Sequence, residues 1–171
     1  MENLDHRLSH GFADVMQKTA LRQKVATLCA SSLVWFLGGM YVMLLSIVHE
    51  RVSIWGTLIL LLPVGVAWTT TLVLEYLFRR RRPFQEQGSV LGVGMLWVPP
   101  SFPSGHATIA FSLAWMISNF SSSGAWTVAA YTMAVLISLG RVAVRVHYVT
   151  DVIAGAVVGT LVTSVFLSSL L

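Results

Sequence analysis

The sequence predicts an all-α protein: a polytopic transmembrane helical bundle of about five or six spans, preceded by an N-terminal amphipathic helix at the interface. Three observations carry this expectation. Of the 171 residues, 56% are hydrophobic and 11% are charged, whereas a soluble domain usually carries about 25% charged residues. Residues 25–48, 52–74, 87–140 and 152–171 contain no Asp, Glu, Lys or Arg, and about 20 apolar residues suffice for a helix to cross a bilayer. The remaining charges gather in short clusters between these intervals. A soluble enzyme, a secreted disulfide scaffold and a disordered chain are excluded.

The elements follow in order within a single domain, 1–171, of which 1–24 is the interfacial helix and 25–171 the transmembrane core. Leu4, Leu8, Phe12, Met16 and Leu21 recur at near-helical spacing with Asp5, Arg7, Asp14 and Lys18 between them, as an interfacial helix requires. A polar start is also the wrong order for a cleavable signal peptide. The first span runs from about Val25 to Val48. The second runs from about Val52 to Phe78, with Pro63 expected to kink it. Arg79-Arg80-Arg81-Arg82-Pro83 and a long loop from Gly88 to Pro103 come next. Ser104 is a suitable N-cap for the third span, which ends near Phe120. The fourth covers about Ala125 to Gly140 and the fifth about Val149 to Leu171, where Gly155, Ala156 and Gly159 permit close packing. Cys29 is the one cysteine; no internal disulfide can form, and a buried packing role is expected.

This path places Arg79–Pro83, Pro103–His106 and Arg141–Asp151 on one side of the membrane, so three distant polar clusters converge. Ionisable groups at membrane depth point to function. His147 and Asp151 are i and i+4 if the fifth helix begins early enough. A carboxylate accepting from one imidazole nitrogen makes the other a better base or nucleophile; alternatively the pair only caps a helix. Ser104, Gly105 and His106 stand at a helix start, whose free N–H groups and dipole suit an anion. His106 can serve as a general acid there, or the segment is an ordinary N-cap. The arginine run is a topology or headgroup signal, although a guanidinium also grips phosphate oxygens in bidentate fashion. Arg82 and Arg141 are the candidates for that role. Together the parts suit phosphoryl transfer through a phosphohistidine. No histidine–carboxylate set has recognisable metal-ligand spacing, so neither a metal nor another cofactor is expected.

Arg82-Pro83, then Pro103-Ser104-Gly105-His106, then Arg141-x5-His147-x3-Asp151 resembles the three-part signature of the type-2 phosphatidic acid phosphatase superfamily. That superfamily holds membrane lipid phosphatases and vanadium haloperoxidases. The resemblance covers roughly residues 75–155. It implies that His147 is the nucleophile, that Asp151 orients it and that His106 protonates the leaving group. Arg82, Arg141, Ser104 and Gly105 would hold the phosphate. The family's usual lysine, seven residues before the arginine of Arg-Pro, is here Glu75. Arg79 is its natural i+4 partner, and Arg79 or Arg80 is a candidate for the missing charge.

The expected partners are the bilayer and a phosphorylated membrane lipid, with no nucleic acid. Undecaprenyl diphosphate is the leading substrate by resemblance to bacterial undecaprenyl-diphosphatase-like enzymes. Phosphatidic acid, phosphatidylglycerol phosphate and lipid A phosphate are the alternatives. A lipid phosphotransferase would use the same residues, and a lipid-binding protein without turnover is the non-enzymatic alternative. The expected location is the bacterial inner (plasma) membrane. Lys18, Arg22 and Lys24 share the site's side and argue for a cytoplasmic site; the outward-facing relatives argue for the opposite face, which is the one expected here.

Overall fold

A computed structural model describes residues 4–49, 53–86 and 99–170, and every regular element among them is helical. Helix α1 (Leu4–Gln17) is followed by α2 (Ala20–Thr27), a π-helical turn (Leu28–Ser32) and α3 (Leu33–His49). The last three form one continuous helical path, of which Ala20–Ile47 is long and apolar enough to cross a membrane. The first span therefore begins about five residues earlier than its charge-free interval. Thr19 starts it, accepting from the Arg22 N–H with its Oγ1 at 3.4 Å.

The second span is broken rather than kinked. Helix α4 (Ile54–Ile59) stops before α5 (Leu62–Phe78) starts, and Pro63 stands in the first turn of α5. A proline there costs no helical hydrogen bond, because the first-turn N–H groups have no partner in any case. A short α6 (Pro83–Glu86) follows the arginine run. The expected loop is described only from Pro99 onward; its residues 88–98 lie outside the described residues, as does Leu171. Helices α7 (Gly105–Phe120), α8 (Gly124–Ala143) and α9 (Val149–Leu170) complete the chain. Helices α8 and α9 are also long and apolar enough to span.

Helix α7 is the axis of the bundle. Its 16 residues give only about 24 Å of helix, but it packs against α3, α5, α8 and α9. Its buried positions include Ala110, Leu113, Ala114, Met116 and Ile117, which meet Leu37, Tyr41, Ala134 and Ile137 in the core. Large apolar residues face outward instead: Trp35, Val73, Val128 and Val165 are all exposed. A soluble protein avoids such a surface, and a bilayer requires it. The chain is an integral membrane protein.

Small residues set the distance between helices. A Cβ at Gly155 would stand 2.5 Å from the Ser104 carbonyl oxygen, and one at Gly159 would overlap the Thr108 carbonyl. Helix α9 therefore lies backbone to backbone on α7. Gly140 of α8 does the same against the π-helical turn, where a Cβ would lie 2.6 Å from the Ala30 nitrogen. Cys29 borders this contact and is half-buried.

Helix α1 docks through its small polar face. Asp5, Ser9 and Ala13 are its buried residues, while Leu4 and Leu8 remain exposed and Phe12 packs beside Ala107, Val142 and Val152. Leu4 and Leu8 of its apolar stripe are thus left for the interface, and its small polar stripe faces the protein.

Gly159→Ala is expected to destabilise the folded protein by about 1–3 kcal/mol through overpacking. Gly38→Ala, where nothing lies within 4 Å of the added carbon, is expected to be neutral or slightly stabilising. Thermal unfolding of both variants in one detergent checks this; equal midpoints would refute the close approach of α9 to α7.

Candidate active site

The three polar clusters meet at one end of the bundle, around a partly open cavity of about 290 Å³. Trp68, Leu72 and Glu75 of α5 form one wall, Gly105, His106 and Ile109 of α7 another, and Arg82, Pro99, Arg141 and His147 close it. Local backbone geometry delivers the arginines. Arg79 ends α5 in the left-handed conformation, φ 45°, and its N–H bonds to the Glu75 carbonyl at 3.1 Å. The chain turns sharply there, and consecutive arginines leave in different directions. Helix α8 runs three residues past Gly140, so Arg141 lies in its last turn.

His147 sits in the turn between α8 and α9 and is 2% exposed. Its Nδ1 lies 2.8 Å from the Ser101 carbonyl oxygen, and its Nε2 lies 3.3 Å from Arg82 Nη1. A carbonyl can only accept and a guanidinium can only donate. Both contacts therefore require the same tautomer: the proton is on Nδ1, and Nε2 keeps its lone pair. The nitrogen with the lone pair belongs to a residue lining the cavity.

Asp151 is fully buried in the first turn of α9. Helix α9 begins at Val149, so His147 precedes the helix instead of sharing a face with Asp151. The two still approach, Nδ1 to Oδ2, at 3.7 Å, beyond a hydrogen bond. The immediate acceptor for Nδ1 is the Ser101 carbonyl, and Asp151 acts one step behind it. Its carboxylate accepts from Ser101 Oγ, from the Tyr148 N–H at 2.8 Å and from Arg80 Nη1 at 2.7 Å. Ser101 was invisible to pattern reading, because a serine beside prolines carries no signal of its own.

Arg80 is committed to this network. Its second nitrogen donates to Asp5 at 2.7 Å, and its guanidinium lies 4.0 Å over the Tyr148 ring. Asp5 also accepts from the Thr150 N–H and hydroxyl, while Ser9 Oγ accepts from the Val149 N–H. Helix α1 thus caps the start of α9. Burial opposes ionisation of Asp5, but the bonds from Thr150 and Arg80 outweigh it and hold the carboxyl below its usual range. Arg79 is exposed, donates to the Tyr76 carbonyl and stacks on the Tyr76 ring at 4.8 Å. Neither Arg79 nor Arg80 lines the cavity, so the alternative that one of them supplies the missing charge loses its geometric basis. The expected Glu75–Arg79 side-chain pair does not form either, since Glu75 turns into the cavity.

Arg82 and Arg141 differ from Arg80 in their partners. Arg82 donates to the carbonyls of Pro99, Val146 and Pro100, and Arg141 to that of Ala30. Among the described residues neither forms an ion pair with a carboxylate, and the buried Arg141 Nε has no partner. Ser104 occupies the N-cap position of α7 without capping it; its Oγ is buried and unpartnered. Gly105 and His106 follow it on the cavity wall, where the first N–H groups of α7 have no intrahelical partner.

Burial pushes the His147 pKa down from 6.5 to about 4, against the opposing pull of Asp151. Between those values the unfolded chain binds a proton that the folded chain does not, so stability rises with pH across the window and is lost on acidification. The thermal midpoint is expected to fall between pH 6.5 and about 4 more steeply for the parent than for His147→Gln. Parallel profiles would refute the buried neutral imidazole.

Comparison with known proteins gives the family and the fold. A sequence model described as the PAP2 superfamily matches residues 56–170. The Lipid A 1-phosphatase of Porphyromonas gingivalis is 32% identical over 116 residues, 66% of this chain; that stretch is 24% of the relative's own length. The crystal structure of Aquifex aeolicus LpxE superposes with a TM-score of 0.71 at 21% identity, covering 98% of this chain and 96% of that one. The transmembrane PAP2-type phosphatidylglycerolphosphate phosphatase of Bacillus subtilis gives a TM-score of 0.70 at 24% identity, covering 96% and 83%. Over two thirds of its length, then, and around the cavity just described, the chain belongs to the PAP2 superfamily.

Proposed function

We propose that this protein is a membrane lipid phosphatase that hydrolyses a phosphomonoester or diphosphate through a phosphohistidine, with His147 as nucleophile. The observation that carries the reading is the forced tautomer: Nδ1 donates to Ser101, and Nε2 faces Arg82 with its lone pair. Nε2 attacks phosphorus, the P–N bond forms and the bond to the lipid oxygen breaks. His106 gives that oxygen its proton. Water then attacks phosphorus, loses a proton to His106 and breaks the P–N bond, which regenerates both histidines. Arg82, Arg141, Ser104 and the N–H groups from Gly105 onward hold the phosphoryl oxygens as charge builds. Asp151 stabilises the cationic imidazole of the intermediate through space and keeps Ser101 in place.

The exposed apolar surface supports a lipid as the substrate class, since it places the protein in the bilayer where such a substrate resides. Undecaprenyl diphosphate remains a candidate, and the 32% identical Lipid A 1-phosphatase favours a lipid A phosphate beside it. An outward-facing site in the inner membrane suits either substrate.

Phosphate release by the detergent-solubilised protein is expected to persist with a chelator present and to fall roughly 10⁴-fold in His147→Ala. His106→Ala is expected to cost about 10²–10⁴-fold. Undecaprenyl diphosphate, lipid A, phosphatidylglycerol phosphate and phosphatidic acid, compared in one assay, identify the headgroup. Undiminished release from His147→Ala would overturn the mechanism.

Glu75 generates a further test. One like charge at ~8 Å and an effective dielectric of ~20 is worth about 2 kcal/mol, and Arg82 offsets part of it. Glu75→Gln is expected to lower KM about three- to tenfold, read from initial rates against lipid concentration. An unchanged or higher KM would show that Glu75 does not act on the substrate as a charge.

A further inference from the structure

We propose that His6, His10 and Glu86 form a binding site for a divalent transition-metal ion of the zinc type, strapping α1 to α6. Each residue presents one ligand atom, and these atoms all lie within 4.8 Å of one another. His6 Nδ1 and Glu86 Oε2 are already 3.4 Å apart. Ligand atoms about 2.0–2.1 Å from a tetrahedral zinc are separated by roughly 3.3 Å, so that pair stands at bonding separation and the third donor needs only a small inward movement. Two imidazoles and one carboxylate form a ligand set that such ions use, with a remaining position for water.

His6 and His10 stand one turn apart on α1, which presents both rings on the same side. That spacing suits a metal, contrary to the expectation drawn from the sequence; the third ligand is 76 residues further on, and only the fold brings it near. Here the His6 and His10 rings are 5.9 Å apart, and both rest on Tyr148, at 4.6 and 6.3 Å between ring centroids. The Arg80 guanidinium also lies on Tyr148, but Asp5 and Asp151 offset its charge, which reduces its repulsion of a cation.

The site is distinct from the cavity and independent of the phosphatase reading. Its ligands come from α1, which lies outside the family match, and from α6. An ion there would fasten α1 beside Tyr148, the residue that follows the nucleophile. It would reinforce the contacts that Asp5 and Ser9 make with α9.

The test is direct binding to the full chain, purified through a tag without histidines and stripped with a chelator. Titration of Zn²⁺ against a chromophoric competitor is expected to show one tight site per chain, and Co²⁺ to give the visible bands of a four- or five-coordinate ion. Both signals should disappear in His6→Gln/His10→Gln and persist in His106→Gln, with Glu86→Gln weakening binding about tenfold or more. Zn²⁺ should raise the thermal midpoint of the parent but not of the double variant; matching metal-free midpoints would show that the variant folds. Absence of a tight site, or a site retained in the double variant, overturns the proposal. Phosphate release does not enter either outcome, so failure here is separable from failure of the proposed function.

Discussion

The buried carboxylate of Asp151 is the contact on which this end of the molecule depends. It accepts from the Tyr148 N–H, from Ser101 Oγ and from Arg80, and so joins the start of α9, the segment before α7 and the turn after α5. A fully buried carboxylate is tolerable only when its oxygens are satisfied in this way. Its placement then fixes its neighbours. Ser101 offers its carbonyl to His147, and the Asp151 carbonyl accepts from the Ser104 N–H at 3.0 Å, which positions the first turn of α7. Arg80 extends the network to Asp5, so the interfacial helix is attached to the same group that supports His147.

The packing beneath the site follows a different logic. Lipid covers apolar side chains as well as a protein core does, so burial of hydrophobic area cannot by itself hold these helices together. Close backbone approach at Gly140, Gly155 and Gly159 provides van der Waals contact instead. Buried hydroxyls add hydrogen bonds, as between Thr71 and Thr108 at 2.9 Å and between Ser112 and Thr163 at 2.5 Å. All of these contacts except that of Gly140 involve α7 or its N-cap residue, and the N-terminus of α7 carries Gly105 and His106.

Much of this architecture was legible in the sequence because a bilayer enforces a simple rule. A segment that crosses the bilayer must be helical or part of a closed barrel, and the order of spans brought Arg82, His106, Arg141 and His147 to one side without any knowledge of packing. The misreadings have physical causes. Pro63 was expected to kink a helix, but kinking and breaking share one sequence signal, and only its first-turn position separates them. The inward side of α1 carries no sequence signal of its own, because an interfacial helix keeps apolar residues such as Leu4 and Leu8 for lipid while Asp5 and Ser9 face inward. The roles of Arg79 and Arg80 depended on a left-handed residue at Arg79, a conformation that arginine composition does not announce. Ser101 acts through its carbonyl as well as its hydroxyl, and every residue has a carbonyl.

The division among the arginines also gives Glu75 a reason to be there. Arg80 is matched by two carboxylates, whereas Arg82 and Arg141 are held by backbone carbonyls. Carbonyl dipoles orient a guanidinium without cancelling its charge, so two buried cations face one cavity. Such an arrangement is costly when no anion is bound. Glu75 lines the same cavity and acts electrostatically on Arg82. It lowers the cost of the unliganded site and must also oppose an arriving phosphate. A lysine in its place would strengthen anion binding and add a third like charge to the unliganded cavity. Under the proposed function, the acid at this position exchanges affinity for stability in the substrate-free state, which suits a substrate that is concentrated by its own residence in the membrane.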